Sequence, residues 1–152
     1  MQEIERKFLI KKELWKPNGE GAKIKQGYLS VDPERVVRVR IAGEKSFLTI
    51  KGESTGIVRT EIEYNIPLKE AETLMEMCLN YLVEKTRYIE QVGNLTWEID
   101  VFEGENKGLI LAEVELESEH QEIEFPKWIK KEVSSDLRYF NSWLSEHPFT
   151  KW

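Results

Sequence analysis

The feature that most constrains this chain is a recurring alternation in which charges of one sign sit two residues apart with apolar residues between them. Glu3/Glu5, Arg38/Arg40, Glu61/Glu63, Lys85/Arg87, Glu98/Asp100 and Glu113/Glu115 all follow it. Side chains alternate across a β-strand, so each pair places its charges on one face and its apolar neighbours on the other. The opening residues MQEIERKFLI set Glu3, Glu5 and Lys7 against Ile4, Phe8 and Ile10, with Arg6 on the apolar side. Any one pair is explained by the solvated face of an ordinary half-buried antiparallel sheet. The set is harder to explain that way. Like charges side by side cost energy unless opposite charge is supplied, and the reverse faces carry Trp97, Tyr64 and many Ile and Val residues that need covering.

Eight segments read as strands. They are 2–10, 24–30 with Gln26 and Tyr28 on one face, VVRVRI, SFLTIK ending at Lys51, RTEIEYNI, VEKTRYI, TWEIDVF and LILAEVELE. Arg59 shares the face of Glu61 and Glu63. Residues 52–56 read as a glycine-containing loop, and Gly93-Asn94 as a two-residue hairpin turn. Pro67 is placed to start a helix in which Leu68, Ala71, Leu74, Met75, Cys78 and Leu79 follow helical spacing. Cys78 is then a small packing residue. A short helix is expected over about 135–145, with Leu137, Phe140, Trp143 and Leu144 at core spacing.

Composition narrows the chemistry. The 152 residues fit one domain, 1–152, and the net charge of −6 disfavours nucleic acid or an anionic membrane as partner. One cysteine and two histidines exclude a disulfide framework and close off thiolate or histidine-rich zinc sites. Any metal here would be hard and held by carboxylate oxygen. No apolar run reaches a membrane span and no leader precedes the first strand, so a cytoplasmic protein is expected.

Closing such a sheet into a barrel removes its edges, and eight strands leave room inside for side chains or one small ligand. With the charged faces inward, Lys7, Arg38, Arg40, Lys51, Lys85 and Arg87 would share a lumen with Glu3, Glu5, Glu61, Glu63, Glu98, Asp100, Glu113 and Glu115. Unpaired buried charge is heavily penalised. The set becomes reasonable if a polyanion meets the cations and a divalent metal meets the surplus carboxylates. Guanidinium forks match phosphate oxygens, and Mg²⁺ or Mn²⁺ bridges carboxylates to phosphates. The pattern points to a linear polyphosphate.

The same residues resemble a known family. Glu3-Ile4-Glu5-Arg6-Lys7 is similar to the ExExK motif of the CYTH superfamily, the triphosphate tunnel metalloenzymes. VRVR, TIK, EIE, EKTR, WEID and AEVELE follow in the family's order, and 133–144 resembles its closing helix, including Asp136, Arg138, Tyr139 and Asn141. The short length is similar to the compact bacterial branch. The resemblance implies an α+β, mainly β fold: a closed eight-stranded antiparallel tunnel with a charged lumen and a few flanking helices. It implies that Lys7, Arg38, Arg40, Lys51, Lys85 and Arg87 hold phosphates. Glu3, Glu5, Glu113 and Glu115 would be the main ligands of Mg²⁺ or Mn²⁺, with Glu61, Glu63, Glu98 and Asp100 as further ligands or water-positioning groups.

The expected activity is metal-dependent hydrolysis of a small triphosphate, first of all inorganic tripolyphosphate to pyrophosphate and phosphate. Lys7 and Tyr28 are the candidates to orient the attacking water or assist proton transfer, and a second metal would activate it. Class IV adenylate cyclase, making cyclic AMP and pyrophosphate from ATP, uses the same motifs; Trp15, Phe47 and the C-terminal aromatics are the only material for a purine pocket. Thiamine triphosphatase ranks lower because the base-stacking aromatic it needs cannot be placed, and a non-catalytic polyphosphate-binding module because Lys7 and every key carboxylate are present. A homodimer is open to a chain whose apolar outer wall exceeds what two helices cover.

Overall fold

The computed structural model describes residues 1–152. Nine strands and two α-helices occur in the order β1 (Gln2–Ile10), β2 (Ala22–Ser30), β3 (Arg35–Ala42), β4 (Lys45–Thr55), β5 (Val58–Asn65), α1 (Leu68–Glu76), β6 (Leu79–Val92), β7 (Leu95–Glu103), β8 (Ile110–Glu115), β9 (Ile129–Glu132) and α2 (Asn141–Glu146). Antiparallel neighbours run β5-β4-β3-β2-β6-β7-β8-β1, and β5 returns to β1 through Gln2↔Thr60, Glu3↔Arg59 and Ile4↔Val58. Eight strands therefore close into the expected barrel. The ninth, β9, lies along the far half of β1 through Phe8↔Glu132 and Leu9↔Lys131. It is an element that the alternation did not reveal.

Local chemistry sets most of the boundaries. Gly93 takes φ +60 in the two-residue turn between paired Val92 and Leu95, the left-handed geometry that a tight hairpin requires. Pro67 caps α1 as expected, but the helix stops at Glu76, and Cys78 and Leu79 lie beyond it. The chain turns there to pack on Gly27 of β2, where a Cβ would stand 2.6 Å from the Cys78 sulfur and 2.8 Å from a Leu82 methyl. Residues expected as a loop after Lys51 instead continue β4 to Thr55 across a register shift between Lys51 and Ser54. The C-terminal helix is also shorter than its spacing suggested. Leu137 lies exposed in a separate 3-10 turn, Leu137–Tyr139, and only the half that carries buried Leu144 forms α2.

The larger apolar core lies outside the barrel wall. Phe8, Ile10, Trp97, Ile99, Ala112 and Val114, all outward on β1, β7 and β8, pack with Trp15, Leu116 and Trp128. Helices do not cover this face. The cover comes from the segment after β1, which brings Trp15, and from the long β8–β9 connection, which brings Ile123, Phe125 and Trp128. Trp97 is the keystone, with Phe8 at 5.6 Å and Trp128 edge-on at 5.5 Å between ring centroids. α1 covers the opposite wall, where Ala71 and Met75 bury Val39.

The inward faces change character along the barrel. Two residues beyond Lys7, Gln26, Arg38, Lys85, Asp100 and Glu113, the lumen positions become Leu9, Tyr28, Val36, Val83, Phe102 and Leu111. All six lie toward one end, as the antiparallel register demands, and pack with Leu144, Tyr139 and Val133 of the C-terminal segment. An apolar plug thus closes that end. Removing the Trp128 side chain would strip the cover from Trp97; Trp128→Ala is expected to cost about 3–5 kcal/mol of unfolding free energy, read from a denaturant titration.

Candidate active site

Above the plug, 19 residues line a chamber, and only four are hydrophobic, so it suits a polar occupant. The walls supply Glu3, Glu5 and Lys7 from β1, Arg38 and Arg40 from β3, Lys51 from β4, Arg59 from β5, Lys85 and Arg87 from β6 and Glu113 from β8. Tyr28 and α2 residues Asn141 and Ser142 form part of its floor. Seven cations thus face three carboxylates in a chain whose net charge is −6. Positive charge is concentrated where solvent is least able to screen it.

Most of these cations have a carboxylate close by. Asp100, fully buried, accepts both Arg87 Nε (2.8 Å) and Arg87 Nη2 (2.9 Å), and stands 2.9 Å from Lys85 Nζ. Arg87 also donates to Glu98 at 3.0 Å. Lys51 donates to Glu3 at 3.0 Å and lies 3.4 Å from Glu61. Arg38 Nη2 reaches Thr49 at 3.2 Å and Glu63 at 3.4 Å. Lys7 Nζ donates to the Tyr139 carbonyl at 3.1 Å, 3.8 Å from Glu113. Glu61, Glu63, Glu98 and Asp100, expected as ligands, therefore lie against cations and outside the chamber lining, while Glu115 is exposed at the end of β8.

Three guanidinium groups have unmet donors. Arg40 Nε donates only to the Gln26 amide oxygen, at 3.0 Å. Arg59 Nε donates to the Gly52 carbonyl at 2.6 Å across the β4 irregularity. Arg38 Nε is buried with no partner. Burial, together with neighbouring Arg38 and Arg87, pushes Arg40 down to about 10. Burial likewise brings Lys85 down to about 7, despite Asp100. These cations repel one another and lack enough anion, which is the electrostatic form of an anion site. Arg59 was not among the expected phosphate-binding residues, although its parity with Glu61 and Glu63 is the signal that turns it into the chamber.

The carboxylates divide in two. Burial pushes the Glu5 carboxyl well above the usual range, and Glu113 and Glu3 push it further. Burial acts the same way on Glu113, but Lys7, Arg87 and Lys85 outweigh it and hold that carboxyl far below the usual range, where it accepts from protonated Glu5. A proton between two carboxylates occupies a place that a cation can take. Mg²⁺ binds through one or two carboxylates and completes its shell with phosphate oxygen and water, and Mn²⁺ suits the same oxygen donors. Glu5 and Glu113, with Glu3 on the same wall, fit such an ion without the three-ligand cluster that a pre-built cage would need.

The sign of the Glu5 effect on stability follows from its raised folded-state pKa. The folded protein keeps a proton that the unfolded chain loses above 4.5, so stability falls as pH rises from there until Glu5 ionises. With chelator present, Glu5→Gln is expected to melt higher than the parent at about pH 7 and to flatten this pH dependence. Added Mg²⁺ should raise the melting temperature of the parent more than that of the variant, in the same thermal melts.

Comparison with known proteins agrees with this geometry. Over 149 residues the chain is 44% identical to an inorganic triphosphatase of Acetivibrio thermocellus, covering 97% of this chain and 96% of that one. An inorganic triphosphatase of Nitrosomonas europaea is 39% identical over 95% of this chain and 97% of its own. A crystal structure of an inorganic triphosphatase superposes with a TM-score of 0.66 at 37% identity, covering 93% of this chain and 96% of that chain. The family description of the CYTH domain matches residues 1–142, and the chain belongs to the CYTH family.

Proposed function

We propose that this chain hydrolyses inorganic tripolyphosphate to pyrophosphate and phosphate, with Mg²⁺ or Mn²⁺ as cofactor, in the cytoplasm. The observation that carries the reading is the cluster of unmet guanidinium donors, Arg38, Arg40 and Arg59, in a chamber closed at one end by an apolar plug. The two relatives of 44% and 39% identity, both named inorganic triphosphatases, support it.

The residues divide the work. Arg38, Arg40, Arg59, Lys51, Lys85 and Arg87 bind and orient the phosphates, and Glu3, Glu5 and Glu113 hold the metal. Glu61, Glu63, Glu98 and Asp100 hold the cations in place from behind. When bound, the divalent ion supplies charge neutralisation on the phosphates and a more acidic water. In the reaction one P–O–P bridge breaks, the water oxygen joins one phosphorus, and a proton leaves. Lys7, anchored by the Tyr139 carbonyl, has further N–H donors for the developing charge on the leaving oxygen. Tyr28 lines the chamber at its floor, where its hydroxyl would orient the attacking water or assist proton transfer.

Most of the aromatic side chains open to a purine pocket are turned away from the chamber. Trp15 is buried in the outer core, Phe47 is absent from the lining, and Tyr139, Phe149 and Trp152 pack on one another. Of the C-terminal aromatics only Phe140 lines the chamber, and its ring is engaged by Lys7 Nζ at 5.0 Å.

Purified protein incubated with tripolyphosphate, ATP or thiamine triphosphate and either metal should release phosphate and pyrophosphate fastest from tripolyphosphate. Cyclic AMP as the main product from ATP would sink the hydrolase reading. Arg40→Ala should lower kcat by about 10²–10³-fold with an unchanged or slightly raised melting temperature, because it removes a mutually repelled cation. Near-normal turnover would place Arg40 outside the reaction.

A further inference from the structure

One fully buried polar side chain, behind the chamber wall, has no role in the reading above. Gln26 is fully buried on β2. Its amide oxygen accepts from Arg40 Nε at 3.0 Å, and its amide nitrogen donates to the Tyr28 hydroxyl at 2.9 Å and to Asn141 Oδ1 at 3.4 Å. Asn141 Oδ1 also accepts from Lys85 Nζ at 2.9 Å. Both amide orientations are forced. Arg40 and Lys85 in its charged form can only donate, so each must meet an amide oxygen. The Gln26 amide nitrogen then points at Tyr28, and the Asn141 amide nitrogen points away from Lys85.

This chain of bonds has a consequence for what the floor presents. The Tyr28 hydroxyl accepts from Gln26, so its own hydrogen remains to be donated. Asn141 uses its oxygen on Lys85 and Gln26, so its NH₂ remains as well. Arg40 keeps its two terminal nitrogens. Apart from the Ser142 hydroxyl, the acceptors of this floor network are engaged, and Tyr28, Asn141 and Arg40 turn donors toward the cavity.

We infer that Gln26 is a positioning residue that turns the donors of Tyr28, Asn141 and Arg40 toward the chamber floor, where together they select the terminal phosphoryl group of a linear phosphate chain. The inference rests on the reading of the chamber as a triphosphate site. A terminal phosphoryl offers three acceptor oxygens and no donor, whereas a bridging phosphoryl offers two and must continue in both directions. The plug beyond Tyr28 leaves no path for such a continuation.

The test is a double-mutant cycle read by calorimetric titration of the metal-free protein with tripolyphosphate. Gln26→Glu keeps the acceptor for Arg40 but turns the Tyr28 hydrogen inward, away from the chamber. Tyr28→Phe removes the same donor directly. Each change is expected to weaken binding roughly tenfold or more, and Tyr28→Phe should cost almost nothing further in the Gln26→Glu background. Cyclic trimetaphosphate, which has no terminal phosphoryl, should bind more weakly than tripolyphosphate to the parent, with the gap narrowed in Gln26→Glu. Should Gln26→Glu fail to fold, the cycle is run with Gln26→Met, where the cost of Tyr28→Phe should again shrink because the hydroxyl is no longer fixed. Fully additive losses, or parent-like affinity in the Gln26 variant, would overturn the inference while leaving the triphosphate reading in place. A parent protein that binds no tripolyphosphate would overturn the triphosphate reading, and with it the inference.

Discussion

The interaction on which the structure depends is the one between Asp100 and the two cations in front of it. Asp100 is fully excluded from solvent, takes a two-pronged grip from Arg87 and lies in contact range of Lys85. Burial opposes its charge, but Lys85 and Arg87 together hold its pKa below the ordinary value. In exchange the carboxylate keeps two cations rigid and aimed inward. Without it, Arg87 would keep only Glu98 and Lys85 only Asn141 to set against the repulsion among these cations and Arg40. A buried pair of this kind is weak support for stability, and its value here is geometric: it fixes charge in a place where charge would otherwise move or be lost.

That arrangement inverts the usual layering of a small protein. The lumen, where a barrel of this size would carry its core, holds ions and hydrogen bonds. The apolar material is displaced to the outside of β1, β7 and β8 and to the plug at one end. The chain meets the cost with aromatic residues from irregular segments, Trp15 and Trp128 above all, because a tilted barrel wall offers few places where a straight helix can lie flat. The polar interior is therefore only as firm as its outer cover.

The alternation in the sequence determines which face of each strand a residue occupies, and on that point the reading and the structure agree from Glu3 to Glu113. Parity says nothing of depth. Glu113 and Glu115 share a face, yet one is buried in the wall and the other exposed where β8 ends. Nor does parity say which charges face the cavity and which stand behind another charge, so Asp100 and Glu113 look alike in sequence. β9 was illegible because Ile129, Lys130, Lys131 and Glu132 carry no alternation and form a strand only because β1 offers an open edge there. Arg59 differs: its parity with Glu61 and Glu63 already turned it inward, and only its pairing with Ser54, beyond the irregularity in β4, could not be read from the sequence.

That divided edge of β1 also bears on the order in which the site can come into being. The strand that carries Glu3, Glu5 and Lys7 has its longest partner in β8, more than a hundred residues later, and its second in β9, later still. Its contact with β5 is confined to three residue pairs at the very start. Contacts so distant in the chain are slow to form, because loop closure must precede any return. The strands that carry most of the cations, β5-β4-β3-β2-β6, are neighbours without β8, so an incomplete chain can set them side by side. What it cannot do is turn them toward one another, because the wall is completed only where β8 meets β1.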